Sequence, residues 1–243
     1  MLDSNLMESL VVAIDGPSGS GKSTVGKAVA RRLGYLYIDS GAVYRAVGLK
    51  ALRTNTPIEN AASVAKLARD SDIRLEGDPD HLRVLLDGRD VTAEIRKPDV
   101  SHASSVVATI PEVRAAVVDT LRGMARAGGV VMDGRDIGTK VFPDAHVKLF
   151  LDASLEVRAQ RRFEEERERG RDVTLEQIKA ELEERDRRDR ERSATPLVKA
   201  PDAVLIDTSD LSLDHVIDRV IEIAAERLRR PDPSRISAAR IED

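Results

Sequence analysis

Between residues 10 and 24 the chain reads Leu-Val-Val-Ala-Ile-Asp-Gly-Pro-Ser-Gly-Ser-Gly-Lys-Ser-Thr: an apolar run, a glycine-rich turn, then a lysine and two hydroxyls. Gly16 to Ser23 fits G-x-x-x-x-G-K-[S/T], a loop that cradles phosphate groups. Glycine removes the Cβ that would keep successive backbone N–H groups from converging on phosphate oxygens. Gly16, Pro17, Ser18, Gly19, Ser20 and Gly21 would form the cradle, with Thr24 beside it. Lys22 would reach the β- and γ-phosphates as a mobile point charge, and Ser23 would offer its hydroxyl to Mg²⁺. The helix predicted from Lys22 to about Leu33 aims the positive end of its dipole at the same anion. Such a match arises by accident in on the order of one percent of chains this long. The strand before it and the helix after it are the context it requires. The chain is therefore expected to bind a nucleoside triphosphate.

Strand-like runs recur before turn residues: Leu10–Ile14, Tyr35–Ile38, Val130–Met132, Val147–Leu151 and Ala203–Ile206. Helical patterns fill most of the gaps. That alternation predicts an α/β fold, a three-layer parallel sheet flanked by helices. Chemistry in such a sheet sits at the carboxyl ends of the strands. Here those ends carry Asp15, Asp39-Ser40, Asp133-Gly134-Arg135-Asp136 and Asp152. Residues 67–107 break the rhythm: Ile73–Leu75 and Leu82–Leu86 flank a Gly77-Asp78-Pro79-Asp80 turn, and Asp87-Gly88 marks another. A small antiparallel insertion followed by helix is expected there.

The stretch from 156 to 192 is rich in arginine and glutamate. Thr174-x-x-Gln177 is a capping box, and Leu175, Ile178 and Leu182 follow as an apolar stripe. The same spacing continues to Arg185, Asp189 and Arg192, with Arg188 alongside, so an aliphatic face turns ionic halfway along. Most charge runs are solvated faces. The other reading is a helix leaving the core to line an anion-filled cleft, with Asp189 holding arginines four before and three after it.

Composition narrows the function. Charged residues are 34% of the 243, yet the net charge is only −4, which argues against a general nucleic-acid or membrane binder. Aromatics at 2%, with no Trp, leave no base-stacking platform. The absence of cysteine excludes disulfides, thiolate catalysis and cysteine-held metals, and His81, His102, His146 and His215 lack zinc-ligand spacing. No apolar stretch approaches the ~18 residues of a membrane span. The N-terminus shows no basic region followed by a secretory apolar segment, so a cytoplasmic protein is expected.

A phosphate-binding loop is shared by GTPases, motor ATPases and small-molecule kinases. A kinase needs in addition an acceptor site opposite the γ-phosphate and cations to offset the charge of two substrates. Ser40, Tyr44 and Arg45 follow the second strand, Arg135 the third, and Arg161 and Arg162 begin the arginine-rich segment. A kinase for another small acceptor and a non-catalytic nucleotide switch stay open on these residues alone.

Several segments together resemble the bacterial cytidylate kinases of the nucleoside monophosphate kinase family. They are Ile14-Asp-Gly-Pro-Ser-Gly, Asp39-Ser-Gly-Ala-Val-Tyr-Arg, Asp133-Gly-Arg-Asp-Ile-Gly-Thr, Val141-Phe-Pro-Asp-Ala, Leu149-Phe-Leu-Asp-Ala-Ser and Glu184-Arg-Asp-Arg-Arg-Asp-Arg. The resemblance implies an adenylate-kinase-like core at 9–66 and 108–230, with a lid at about 155–175. It implies a monophosphate-binding insertion at 67–107; residues 1–8, and 231–243 with its Pro, Ser and charge, read as flexible tails. It also implies phosphoryl transfer from ATP, with Mg²⁺, to CMP or dCMP. Ser40, Arg45 and Arg135 would hold the acceptor phosphate, with Tyr44 close by. Ser105, Arg114, Asp136 and Arg192 would read cytosine, and Arg185 and Asp189 would hold the pentose hydroxyls. Lys22, Arg45, Arg135, Arg161 and Arg162 would carry catalysis, and Arg158 would join Arg161 and Arg162 in a mobile lid over ATP. Asp133 sits where a ligand to Mg²⁺ or its water is expected. Some relatives have Gly at the position of Ser23. A monomer is expected, with small-molecule substrates and no nucleic-acid or membrane partner.

Overall fold

The computed structural model describes residues 10–192 and 194–229. The tails expected at 1–8 and 231–243 lie outside the described residues. Each long apolar run forms a strand, displaced by about one residue toward its C-terminal acid or glycine: β1 (Val11–Asp15), β2 (Leu36–Asp39), β6 (Val130–Gly134), β7 (Val147–Asp152) and β8 (Val204–Asp207). They pair in parallel in the order β2-β6-β1-β7-β8. Alternate residues enter opposite layers. Val12, Ile14 and Val131 pack in one core with Val25, Val29 and Tyr37, while Ala13, Val130 and Met132 pack in another with Ala42, Val43 and Val47. A sheet covered on both faces needs no polar alternation, which is why these strands read as unbroken apolar runs.

Eight helices cover the sheet and its insertion among the described residues: α1 (Lys22–Leu33), α2 (Ser40–Arg53), α3 (Ala61–Arg69), α4 (Pro98–Val107), α5 (Pro111–Met124), α6 (Leu155–Glu168), α7 (Leu175–Glu191) and α8 (Leu213–Arg229). Their starts follow local chemistry. Asp39, Asn60 and Ser154 accept from backbone amides at the first turns of α2, α3 and α6. Proline opens α4 and α5. Both halves of the Thr174–Gln177 capping box form at α7. Gly21, at φ 86°, turns the loop into α1 in a conformation that favours glycine.

The insertion holds β3 (Ile73–Glu76), β4 (Arg83–Leu86) and β5 (Arg89–Asp90), antiparallel in that order. The two-residue β5 follows the Asp87-Gly88 turn, where both residues have positive φ. A 3-10 turn at Glu94–Arg96 leads into α4. One feature carries no sequence signal. A wide turn of π type, Ile137–Val141, directly follows the Asp136 segment.

The position of α4 against α2 depends on Gly48. A Cβ there would come within 2.9 Å of the Ser104 backbone nitrogen, which cannot swing aside as a side chain can. Gly48→Ala gains about 1 kcal/mol of helix propensity but overpacks a tight contact, at about 1–3 kcal/mol. A net destabilisation of about 0–2 kcal/mol, centred near 1, is expected, lowering Tm by roughly 2–4 °C in a chain of this size. An unchanged or raised Tm would show that α2 and α4 do not depend on this close approach.

Candidate active site

The strand register brings acids to one edge of the sheet: Asp133 lies between Asp39 and Ile14, and Asp152 lies beside Asp207. A cavity of about 890 Å³ opens above this edge, walled by the phosphate loop, α2, α4, α7 and the C-terminal half of α6. Ser18 to Thr24 line one side of it. Gly16 and Pro17 lie behind the loop, where a Cβ on Gly16 would meet the Leu151 carbonyl oxygen at 2.0 Å. The Pro17 carbonyl accepts from the Ser20 hydroxyl at 3.0 Å and from the Lys22 ammonium. Lys22 is buried, and burial followed by the charge of Arg135 pushes its ammonium well below the usual lysine range.

Below the loop, Asp133 accepts from Tyr37 Oη at 2.6 Å and from Ser23 Oγ at 3.0 Å. Burial and the neighbouring Asp39 raise its carboxyl to about 6, against the pull of Lys22. Ser40, also buried, donates to the Asp133 carbonyl at 2.7 Å.

Opposite the loop stand the guanidinium groups. Arg45 lies 3.8 Å from Asp39, and Arg135 Nε donates to Asp189 at 2.8 Å. Asp189 also faces Arg192 at 3.7 Å, whereas Arg185 makes no ion pair within 4 Å among the described residues. Burial, then Arg135, Arg45 and Arg162, push the Arg185 guanidinium down to about 9. Burial, then Arg96, Arg162 and Arg135 against the pull of Asp39, lowers Arg45. Such displacement of groups that are almost always charged marks a strongly electropositive pocket.

At the far end Arg114 donates to Asp136, and Arg192 Nη2 lies 3.8 Å from the other oxygen of that carboxylate. The Arg114 guanidinium also stacks over Tyr44, 5.3 Å from the ring centre. Arg114 Nε and Arg192 Nη2 are buried without a hydrogen-bond partner. Ser105 accepts from Arg188 Nη1 at 2.9 Å.

The structure therefore gathers Lys22, Ser23, Ser40, Tyr44, Arg45, Ser105, Arg114, Asp133, Arg135, Asp136, Arg161, Arg162, Arg185, Asp189 and Arg192 around one cavity. The ionic continuation of the α7 stripe, Arg185 and Asp189, faces that cavity, while Glu184, Arg187 and Arg190 on the other faces are exposed. Arg158 is different. Its side chain is 5% exposed, pairs with Asp186 at 2.7 Å, and donates to the carbonyls of Ala153 and Ser18. It stands behind the phosphate loop because it lies in the first turn of α6, next to carbonyl groups that need donors. Arg161, one turn on, donates to the hydroxyl and carbonyl of Thr208.

Three contributors, Thr208, Glu166 and Arg96, are not singled out by the sequence reading, and Asp15 is marked there only as a strand end. Thr208 follows β8, so the strand-end rule that selected Asp133 applied to it equally. Asp15 caps the turn after β6, accepting from the amides of Ile137 and Gly138 at 2.8 Å. Glu166 is buried on α6 and pairs with Arg162, Arg169 and Arg171. Arg96 reaches the cavity wall from the insertion.

A family model described as Cytidylate kinase matches residues 12–226. The cytidylate kinase of Desulfitobacterium hafniense (strain Y51) is 45% identical over 223 residues, spanning 92% of this chain and 96% of that protein. That of Caldanaerobacter subterraneus subsp. tengcongensis is 51% identical over 211 residues, spanning 87% and 92%. Among solved structures, an uncharacterized protein from Eubacterium ventriosum ATCC 27560 superposes with a TM-score of 0.52. It covers 89% of this chain and 99% of its own at 12% identity, a likeness of fold alone. By the family model and both relatives, the chain belongs to the cytidylate kinase family.

Proposed function

We propose that this chain transfers the γ-phosphoryl group of ATP to the 5′-phosphate oxygen of CMP or dCMP, giving ADP and CDP or dCDP. One observation carries the reading: the phosphate loop and the cluster of Arg45, Arg135 and Arg185 open onto a single cavity. Two polyanions can meet there end to end. The acceptor oxygen is already ionised, so positioning and charge neutralisation carry the reaction, without a strong base. Lys22 and the loop amides hold the donor phosphates. Arg45 and Arg135 orient the attacking oxygen, and Arg161 and Arg162 offset charge on the transferring group.

The donor set at the loop fits Mg²⁺. The Ser23 hydroxyl and Asp133 carboxylate are hard oxygen ligands that already meet, and Mg²⁺ takes few protein ligands, the rest coming from phosphates and water. Bound with ATP, Mg²⁺ would neutralise charge on the β- and γ-oxygens. The α6–α7 hairpin carries Arg161 and Arg162, and its closure over both substrates would exclude water from the reacting phosphates.

Asp136 would read the base. Cytosine offers an N4 amino donor, and a carboxylate that accepts from Arg114 has lone pairs left for it. Arg114 Nε and Arg192 Nη2 are donors suited to the O2 and N3 acceptors. Uracil places an oxygen where the amino group stood, setting it against the carboxylate. The pentose hydroxyls would fall to Arg185 and Asp189. We take the working unit to be a monomer. No helix among the described residues is long and apolar enough to cross a membrane, and we take the enzyme to work in the cytoplasm.

Asp136→Ala is expected to raise the KM for CMP by on the order of 10²-fold, because it strands two buried guanidinium groups and removes the N4 acceptor. The KM for ATP should barely move. An equal loss for both substrates would remove the base-reading role, and so would wild-type turnover of UMP comparable to that of CMP. A second expectation concerns protons. Lys22 is held low in the protein alone, and anionic phosphates would raise it. Above about pH 8, where phosphate oxygens are already ionised, ATP binding should take up protons between the lowered Lys22 value of the free protein and the raised value of the complex. Calorimetry in buffers of different ionisation enthalpy measures this; identical heats would mean that Lys22 is fully charged beforehand.

A further inference from the structure

Arg96 ends the 3-10 turn between β5 and α4. Its neighbours fix that turn. Ile95, 2% exposed, is packed in the core with Val47 and Val100, and Glu94 pairs with Arg53 of α2 at 2.7 Å. Arg96 itself is exposed and stands on the wall of the main cavity. Arg45 has Asp39 within 4 Å and Arg135 has Asp189, but Arg96 makes no ion pair among the described residues. After burial and the opposing pull of Asp39, it heads the cations that lower the Arg45 guanidinium.

An unpaired arginine on an open surface points into water and needs no explanation. This one is carried by a packed turn on the cavity wall that Arg45 and Arg135 also line, where an anion between them would offset their mutual repulsion. We propose that Arg96 is a substrate-binding residue that grips the acceptor's 5′-phosphate together with Arg45 and Arg135. It would make the insertion sense the phosphate directly, since neither Arg45 nor Arg135 belongs to that segment. The inference rests on the reading of this cavity as the CMP site and adds a third arginine to it.

The test compares CMP with cytidine, which lacks the phosphate, by calorimetric titration of the full chain. Arg96→Ala should weaken CMP binding by roughly tenfold or more, the scale of one charged hydrogen bond, and leave cytidine binding unchanged. Arg96→Lys should restore part of the loss, as a point charge without the guanidinium fork. Equal weakening of CMP and cytidine would make Arg96 merely structural and overturn the proposal. Arg135→Ala separates the two levels of inference. If it abolishes the advantage of CMP over cytidine while Arg96→Ala does not, the role of Arg96 falls and the CMP site stands. If neither substitution changes that advantage, the phosphate site itself is wrongly placed, and the role of Arg96 falls with it.

Discussion

Like charges held close together repel, and two guanidinium groups about 4 Å apart do so by about 4 kcal/mol at an effective dielectric of 20. The cavity brings Arg45, Arg96, Arg135, Arg162 and Arg185 toward one another from five stretches of chain, and burial first, then this repulsion, lowers Arg45 and Arg185. Everything else in the site follows from keeping such a cluster in place before a ligand arrives. The sheet supplies the rigid edge, and each arginine is anchored on an element whose other face belongs to a core. Arg45 rides on α2 between Ala46 and Val47 in one direction and Val43 in the other, all fully buried. Arg185 follows Ile178 and Leu182, which fasten α7 to α6.

The carboxylates that accompany these cations hold geometry more than they cancel charge. Asp189 takes Arg135 and faces Arg192; Asp136 takes Arg114 and faces Arg192. Glu166 does the same on α6, fixing Arg162 together with two arginines beyond it. Removing one partner of such a buried pair costs about 3–5 kcal/mol, so each acid is a structural commitment. Fixed donors matter for phosphoryl transfer, because groups already oriented need no reorganisation as charge moves from one substrate to the other.

Much of this was legible in the chain. The phosphate loop, the five parallel strands and the capping box of α7 follow from local rules, since each depends on residues near one another in sequence. The strand-end rule then found Ser40, Arg135 and Asp136, because in a parallel sheet the ends share an edge whatever the intervening segments do. What stayed hidden depends on direction or on distant contacts. Arg158 and Arg162 lie one helical turn apart and look equivalent, yet Arg158 turns behind the loop to Ser18 while Arg162 turns to the cavity. Arg96 lies in a three-residue turn with no periodicity, and only the packing of Ile95 aims it. Asp15 reads as the last residue of a strand, and its bonds to Ile137 and Gly138 require the sheet register to be known.

Asp133 stands apart from the other acids, and the contrast separates two uses of a buried carboxylate. Asp189 sits among guanidinium groups that overcome the cost of burial and hold it below the usual range. Asp133 is bonded by two hydroxyls, sits beside Asp39, and rises to about 6. Guanidinium contacts have therefore fully ionised one acid and left the other short of positive charge. On the proposed reading, a divalent cation held by Ser23 and Asp133 would supply the positive charge that Asp133 lacks. The arginine-rich pole needs an anion and the Asp133 pole needs a cation. A magnesium–triphosphate complex meeting a monophosphate satisfies both in a single arrangement.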